Sequence, residues 1–85
     1  MKYTVEVLPG VVKSLSKIDK RHLPKIRAKL QLLVSEPRHS GCLKLKGEEN
    51  VYRTRVGNYR IIYKIFDNKV HVIVIDIDHR KDVYK

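Results

Sequence analysis

The sequence predicts an α+β fold in the order βααβββ: a small antiparallel sheet with an N-terminal helix hairpin packed on one face. Three observations carry the prediction. The first residues, KYTVEVL, alternate polar and apolar. Two following stretches repeat apolar residues at helical spacing. From Val51 to Asp78 the chain is strand-like and is broken at Gly57-Asn58 and Asp67-Asn68.

Alternation places Tyr3, Val5 and Val7 on one face of a first strand. Pro9 then opens a helix, because the N–H it lacks has no partner in a first turn. Val11, Val12, Leu15 and Ile18 fall at helical spacing in VVKSLSKI, and DKRH ends that segment. A longer helix turns Leu23, Ile26, Leu30 and Leu33 inward and Lys25, Arg27, Lys29 and Gln31 outward. It stops before Pro37, which disfavours helical geometry at Glu36. RHSGCLKLKGEEN, residues 38–50, has no sustained period and reads as a connecting loop. VYRTRV and YRIIYKIF flank Gly57-Asn58, a two-residue turn with glycine first, and KVHVIVIDI follows the second turn signal. No repeat or linker is visible, so residues 1–85 read as one domain with a small core.

Composition narrows the class of partner. Nineteen Lys and Arg against nine Asp and Glu give a net charge of +10 and a pI near 10.0. In so short a chain, that excess points to an anionic partner: nucleic acid, a membrane surface or an acidic protein. Cys42 is the single cysteine, so no intrachain disulfide forms, and a reducing compartment suits the chain. Its neighbours Gly41 and Leu43 point to loop packing rather than a nucleophile. The N-terminus lacks the continuous apolar run of a signal peptide, and no stretch reaches transmembrane length. A cytoplasmic protein is expected.

The charges cluster. A turn at Gly57-Asn58 sets Val56 opposite Tyr59 and Arg55 opposite Arg60. Alternation adds Arg53 to the same face, with Lys64 further along and Ile62 between. The other face carries Tyr52, Thr54, Val56, Tyr59, Ile61 and Tyr63, a set suited to packing under helices. Like charges directly across a sheet destabilise it, whereas a bound phosphate reverses that sign. A solvated outer face is the bland alternative. His79 and Arg80 follow the last strand, with Tyr84 near the end of the sequence, and such a group suits proton transfer beside a phosphate clamp. Asp76, Asp78 and His79 also admit a metal reading, but ion pairs with the surplus cations account for the carboxylates, and no metal or other cofactor is expected. His22, His39 and His71 suggest no special role.

These residues carry a family resemblance. LKGEENVYRTRVGNYRIIYKIFDNKVHVIVIDIDHRKDVY, residues 45–84, resembles the C-terminal half of the RelE/ParE superfamily of bacterial toxins. The preceding strand and helices agree, and the RelE branch is the more similar. The resemblance implies a ribosome-dependent endoribonuclease that cleaves messenger RNA in the A site and a cognate acidic antitoxin that neutralises it in a hetero-oligomeric complex. It also implies catalytic positions at Arg53, Arg55, Arg60, Arg80 and Tyr84. RNA contacts are expected from Lys44, Lys46, Arg53, Arg55, Arg60, Lys64, Arg80 and Lys81. The best-known RelE toxins carry lysines at the first two positions. Arginine is permanently protonated and does not act as a base. The proton acceptor is therefore sought in His79, whose ordinary pKa is about 6.5, or in Tyr84. Two rivals are a ParE-like DNA gyrase poison and a non-catalytic basic RNA-binding module. The latter usually exposes aromatics for base stacking, whereas the five tyrosines and one phenylalanine here mostly fall at core positions.

Overall fold

The computed structural model describes residues 2–79. Its elements are β1 (Thr4–Val7), α1 (Pro9–Leu15), α2 (Leu23–Ser35), β2 (Leu43–Lys44), β3 (Val51–Val56), β4 (Tyr59–Phe66), a 3₁₀ turn (Asp67–Lys69) and β5 (His71–His79). The sheet order is β1-β5-β4-β3-β2. Strands β2 to β5 are antiparallel neighbours, whereas β1 lies parallel to β5. The sheet is therefore mixed rather than antiparallel. Each hairpin from β2 onward reverses the chain, but β1 is joined to the rest through the two helices. A crossover of that kind is what lets its pairing be parallel.

Two further expectations are corrected. The segment 38–50 is not all loop, since Leu43 and Lys44 pair with Arg53 and Tyr52 as the two-residue edge strand β2. So short a strand carries no readable period, and it leaves little edge for intermolecular pairing. Helix α1 ends at Leu15, so Ile18 reaches the core from the turn beyond it, and Val12 points to solvent at 53% exposure. A helix of seven residues has only one inward stripe, which Val11 and Leu15 occupy.

Both helices lie on one side of the sheet, α1 against β5 and α2 against β1 and β3. The core between the layers holds Val11, Ile26 and Leu33 from the helices and Tyr52, Val56, Tyr59, Ile61, Tyr63, Ile65, Val72 and Val74 from the strands. Cys42, half-buried, packs against its margin. The β3–β4 hairpin has the predicted register, Val56 opposite Tyr59 and Arg55 opposite Arg60. Gly57, first in the turn, has φ +58°, which glycine adopts without steric cost.

Between β4 and β5 the register slips. Ile62 pairs with Asp76 and Tyr63 with Val74, so Ile75 is an extra residue in β5. This bulge changes which side chains face the core. Before it, Val72 and Val74 point inward; after it, Ile77 opposes Ile61 and His79 opposes Tyr59 on that same side. Asp76 and Asp78 are turned to the outer face.

Three polar connections tie the segment after α2 to the sheet. The Tyr63 hydroxyl, beneath the helices, donates to the Pro37 carbonyl at 2.6 Å. Burial pushes the pKa of that phenol far up, so it remains a donor. The buried His39 ring lies 3.1 Å from the Glu36 carbonyl through Nδ1 and 2.8 Å from Thr54 Oγ1 through Nε2. A carbonyl only accepts, so Nδ1 carries the proton, and in the neutral ring Nε2 accepts from the threonine. His39 thus has a structural role that the sequence reading did not assign. Arg38 makes a bidentate pair with Asp67 at 2.9 and 2.7 Å and donates through Nε to the Tyr52 hydroxyl at 3.0 Å. The Tyr3 hydroxyl donates to the same carboxylate at 2.9 Å.

Two stability predictions follow from these contacts. Tyr63→Phe leaves the Pro37 carbonyl buried without its donor and should cost about 1–3 kcal/mol in urea denaturation. The hydrogen bonds from Arg38, and then from Tyr3, hold the Asp67 carboxyl below its ordinary pKa. Its stabilisation is therefore complete above the unfolded-chain value of about 4 and is lost as pH falls through the lower folded value. Urea midpoints measured across acid pH should fall less steeply below about pH 4 for Asp67→Asn than for the wild type. An unchanged acid limb would remove Asp67 from the account.

Candidate functional site

The face of the sheet away from the helices is a grid set by strand register. One row runs Arg55, Arg60, Asp78 across β3, β4 and β5. The next runs Leu43, Arg53, Ile62, Asp76 from β2 to β5. A third holds Val51, Lys64 and Ile73, and a fourth Phe66 and His71. Arg53, Arg55, Arg60 and Lys64 thus share one face as the sequence predicts, with Ile62 between them. Arg55 is exposed; Arg53, Arg60 and Lys64 are half-buried.

The cations are bordered on one side by carboxylates. Arg60 Nη2 donates to Asp78 Oδ2 at 3.2 Å, with the arginine side chain 21% exposed and the aspartate 56%. Asp78 therefore offsets the repulsion between Arg55 and Arg60. The Asp76 Oδ1 accepts from the Ile77 backbone N–H at 2.9 Å, which fixes that carboxylate beside its own strand. Arg60 Nε is buried and meets no acceptor among the described residues. An unmade hydrogen bond of this kind is a local cost, the sort found where a side chain is held for function rather than for stability.

Other site candidates are placed differently. His79 stacks on Tyr59, with ring centroids 4.5 Å apart and planes at 21°. The ring of His22 lies 5.6 Å from the same tyrosine. His79 is therefore on the helix side of the sheet, away from the face that carries Arg53, Arg55 and Arg60. The expectation that it acts beside those arginines is not supported by this register; the Ile75 bulge, invisible to strict alternation, is the reason. Lys44 also belongs to the helix side, opposite Tyr52 at the sheet edge. Lys46 is exposed in the loop between β2 and β3, next to Gly47, Glu48 and Glu49. Arg80, Lys81 and Tyr84 lie outside the described residues. Among the described residues, no three His, Cys, Asp or Glu side chains gather in a way that would hold a metal ion.

The arrangement can do one thing well. Two arginines directly opposite one another, with a third one step along the strand, present planar forks to a tetrahedral oxyanion.

A family model described as the ParE toxin of the type II toxin-antitoxin system matches residues 5–84. The chain belongs to the RelE/ParE superfamily. Within it, the chain is of RelE type. It is 30% identical over 88 residues to the putative toxin RelE1 of Methanocaldococcus jannaschii, spanning 100% of this chain and 98% of that one. To the toxin RelE3 of the same organism it is 37% identical over 75 residues, spanning 78% of this chain and 83% of the relative. The fold matches RelE in the archaeal RelE-RelB complex from Pyrococcus horikoshii OT3 with a TM-score of 0.83 at 29% identity, covering 94% and 97% of the two chains. It matches the Mycobacterium tuberculosis RelBE2 toxin-antitoxin complex at 0.82 and 28% identity, covering 94% and 100%. The protein is a toxin of a type II toxin–antitoxin system.

The Arg60–Asp78 pair of this RelE-type chain generates a prediction. A half-exposed ion pair contributes at most about 1 kcal/mol, so its removal should not unfold the protein. Asp78→Asn frees the guanidinium and should tighten binding of inorganic phosphate a few-fold, read as an increase in phosphate-dependent melting temperature. Arg60→Ala should abolish the increment. Equal phosphate responses in wild type and Asp78→Asn would show that the aspartate does not compete for Arg60.

Proposed function

We propose that this toxin is a metal-independent endoribonuclease that cleaves messenger RNA in the ribosomal A site and so inhibits translation. The observation that carries the reading is the Arg55–Arg60 pair with Arg53 beside it on the open face of the sheet. Like charges in register are costly without an anion, and a phosphodiester is the anion whose geometry they match.

Cleavage through the ribose 2′-hydroxyl requires that hydroxyl to lose its proton, the pentavalent phosphorane to be stabilised and the leaving 5′-oxygen to gain a proton. Arg53, Arg55 and Arg60 take the second task, as permanent charges aimed where negative charge develops. Arg80 joins them by the family resemblance, and Lys46, Lys64 and Lys81 add attraction for the backbone. Lys44, on the helix side at the sheet edge, contributes at the rim. By the family resemblance the proton step falls to Tyr84, a phenol with an ordinary pKa of about 10 that accepts a proton near neutral pH only where neighbouring cations stabilise the phenolate. His79, stacked on Tyr59, then serves to hold the end of β5 rather than to carry the proton.

The relatives supply the partner. The similar solved structures include RelE-RelB and RelBE toxin-antitoxin complexes. A cognate antitoxin with an acidic segment, covering basic surface of this toxin in a hetero-oligomer, fits the net charge of +10. Among the described residues no helix is long and apolar enough to cross a membrane, and the reading places the toxin with ribosomes in the cytoplasm.

The matching family model also names ParE, so inhibition of DNA gyrase is the second reading. One pair of assays separates them. Primer extension on programmed ribosomes, with Mg2+ as the sole divalent cation, should show cleavage by the wild type. Arg60→Ala should lose about 2–4 kcal/mol of transition-state stabilisation, roughly 30- to 1000-fold in rate. Inhibited supercoiling with intact messenger RNA would instead establish the gyrase reading.

A further inference from the structure

The outer face does not end at the arginines. Along β4 the outward residues are Arg60, Ile62, Lys64 and Phe66. At about 3.3 Å per residue, Phe66 lies some 20 Å from Arg60 along the strand. Its ring is half-buried and opens on a concavity of about 300 Å³ lined by Phe66, Lys69, His71 and Ile73. Two ammonium groups attend the ring: Lys64 Nζ is 5.3 Å and Lys69 Nζ 5.9 Å from its centroid. His71 is held by Glu6 at 3.1 Å, which fixes the far wall.

We infer that Phe66, with Lys64 and Lys69, forms a base-stacking subsite for single-stranded RNA, several nucleotides from the arginine cluster. The inference rests on the ribonuclease reading and extends its footprint. An aromatic face between cations suits a nucleobase: the ring stacks on the base and the ammonium groups take the adjoining phosphates. An acidic peptide would satisfy the lysines but would leave the Phe66 and Ile73 surface without a flat partner. Continuity also favours RNA, because Lys64 lies on the same strand face between the phosphate-binding row and the ring. Stacking does not discriminate strongly among bases, so the subsite should contribute affinity and register rather than sequence preference.

The chain contains no tryptophan, so a Phe66→Trp variant of this chain carries a single indole reporter. Titration with a short single-stranded oligoribonucleotide should quench that fluorescence on binding. In anisotropy measurements Phe66→Leu, which keeps an apolar side chain but removes the ring, should weaken binding about tenfold, and Phe66→Trp should retain it. Lys69→Gln should reduce the slope of log affinity against log salt by about one. A circular-dichroism melt of each variant checks folding, and the indole readout does not depend on Phe66→Leu being stable. Saturating RNA without quenching, together with unchanged affinity in Phe66→Leu, would overturn the subsite. So would quenching by an acidic peptide but not by RNA. Quenching and binding without ribosomal cleavage would retain the subsite and overturn only the nuclease reading; normal cleavage without quenching would do the reverse.

Discussion

The outer face depends on one irregularity, the extra residue at Ile75. If β5 kept strict alternation from Val72, Asp76 and Asp78 would point under the helices, against Ile61 and Tyr59. Burying two carboxylates there without cationic partners is prohibitive on the scale of the few kcal/mol that separate folded from unfolded protein. The bulge turns both outward and gives the inward positions to Ile77 and His79. In the same step it sets Asp78 beside Arg60 and His79 on Tyr59. Core satisfaction, the counter-ion at the arginines and the fate of the histidine are consequences of one local choice.

The opposite end of the sheet is held by polar contacts to the segment that follows α2. Tyr63 to Pro37 and Thr54 to His39 are buried beneath the helices, while Arg38 closes on Asp67 and Tyr52 at the surface. Tyr52 and Tyr63 also stack, with centroids 6.0 Å apart. These contacts take the place of regular secondary structure over residues that carry no apolar period of their own. They allow β3 and β4 to be rigid on the inner side while their outer side is given over to charge. A rigid scaffold beneath a charged face is what precise placement of phosphate-binding groups requires.

Much of this was legible in the sequence, and the failures have physical causes. The two helices were readable because Pro9, Pro37 and the spacing of Ile26, Leu30 and Leu33 are local signals. The β3–β4 register was readable because Gly57-Asn58 fixes a two-residue turn and alternation does the rest. The parallel pairing of β1 was not, since strand direction across a helical crossover is decided by tertiary packing. Strand β2 was too short for any period. The bulge did leave a trace: in VIVIDID the two aspartates share the parity of Val72 and Val74, a conflict between alternation and burial that only an inserted residue resolves. His39 gave no signal, because the Thr54 and Glu36 groups that hold it are brought together only by the fold.

The like charges set in register across β3 and β4 have a definite logic. Arg55 faces Arg60 across to β4, whereas Arg60 is also paired with Asp78 on β5. A fully compensated surface would be more stable but would bind phosphate poorly, because the anion would have to displace every carboxylate. A fully uncompensated one would bind strongly but would repel itself in the free protein and attract any polyanion. Placing carboxylates along β5 and arginines along β3, with Arg60 and Ile62 between them, lies between those limits. The anion enters from the arginine side, and the single contact it must loosen is a half-exposed ion pair of small energy. Selectivity for one polyanion over another must therefore come from what lies beyond the charges, and on this face that is the apolar and aromatic surface leading from Ile62 to Phe66.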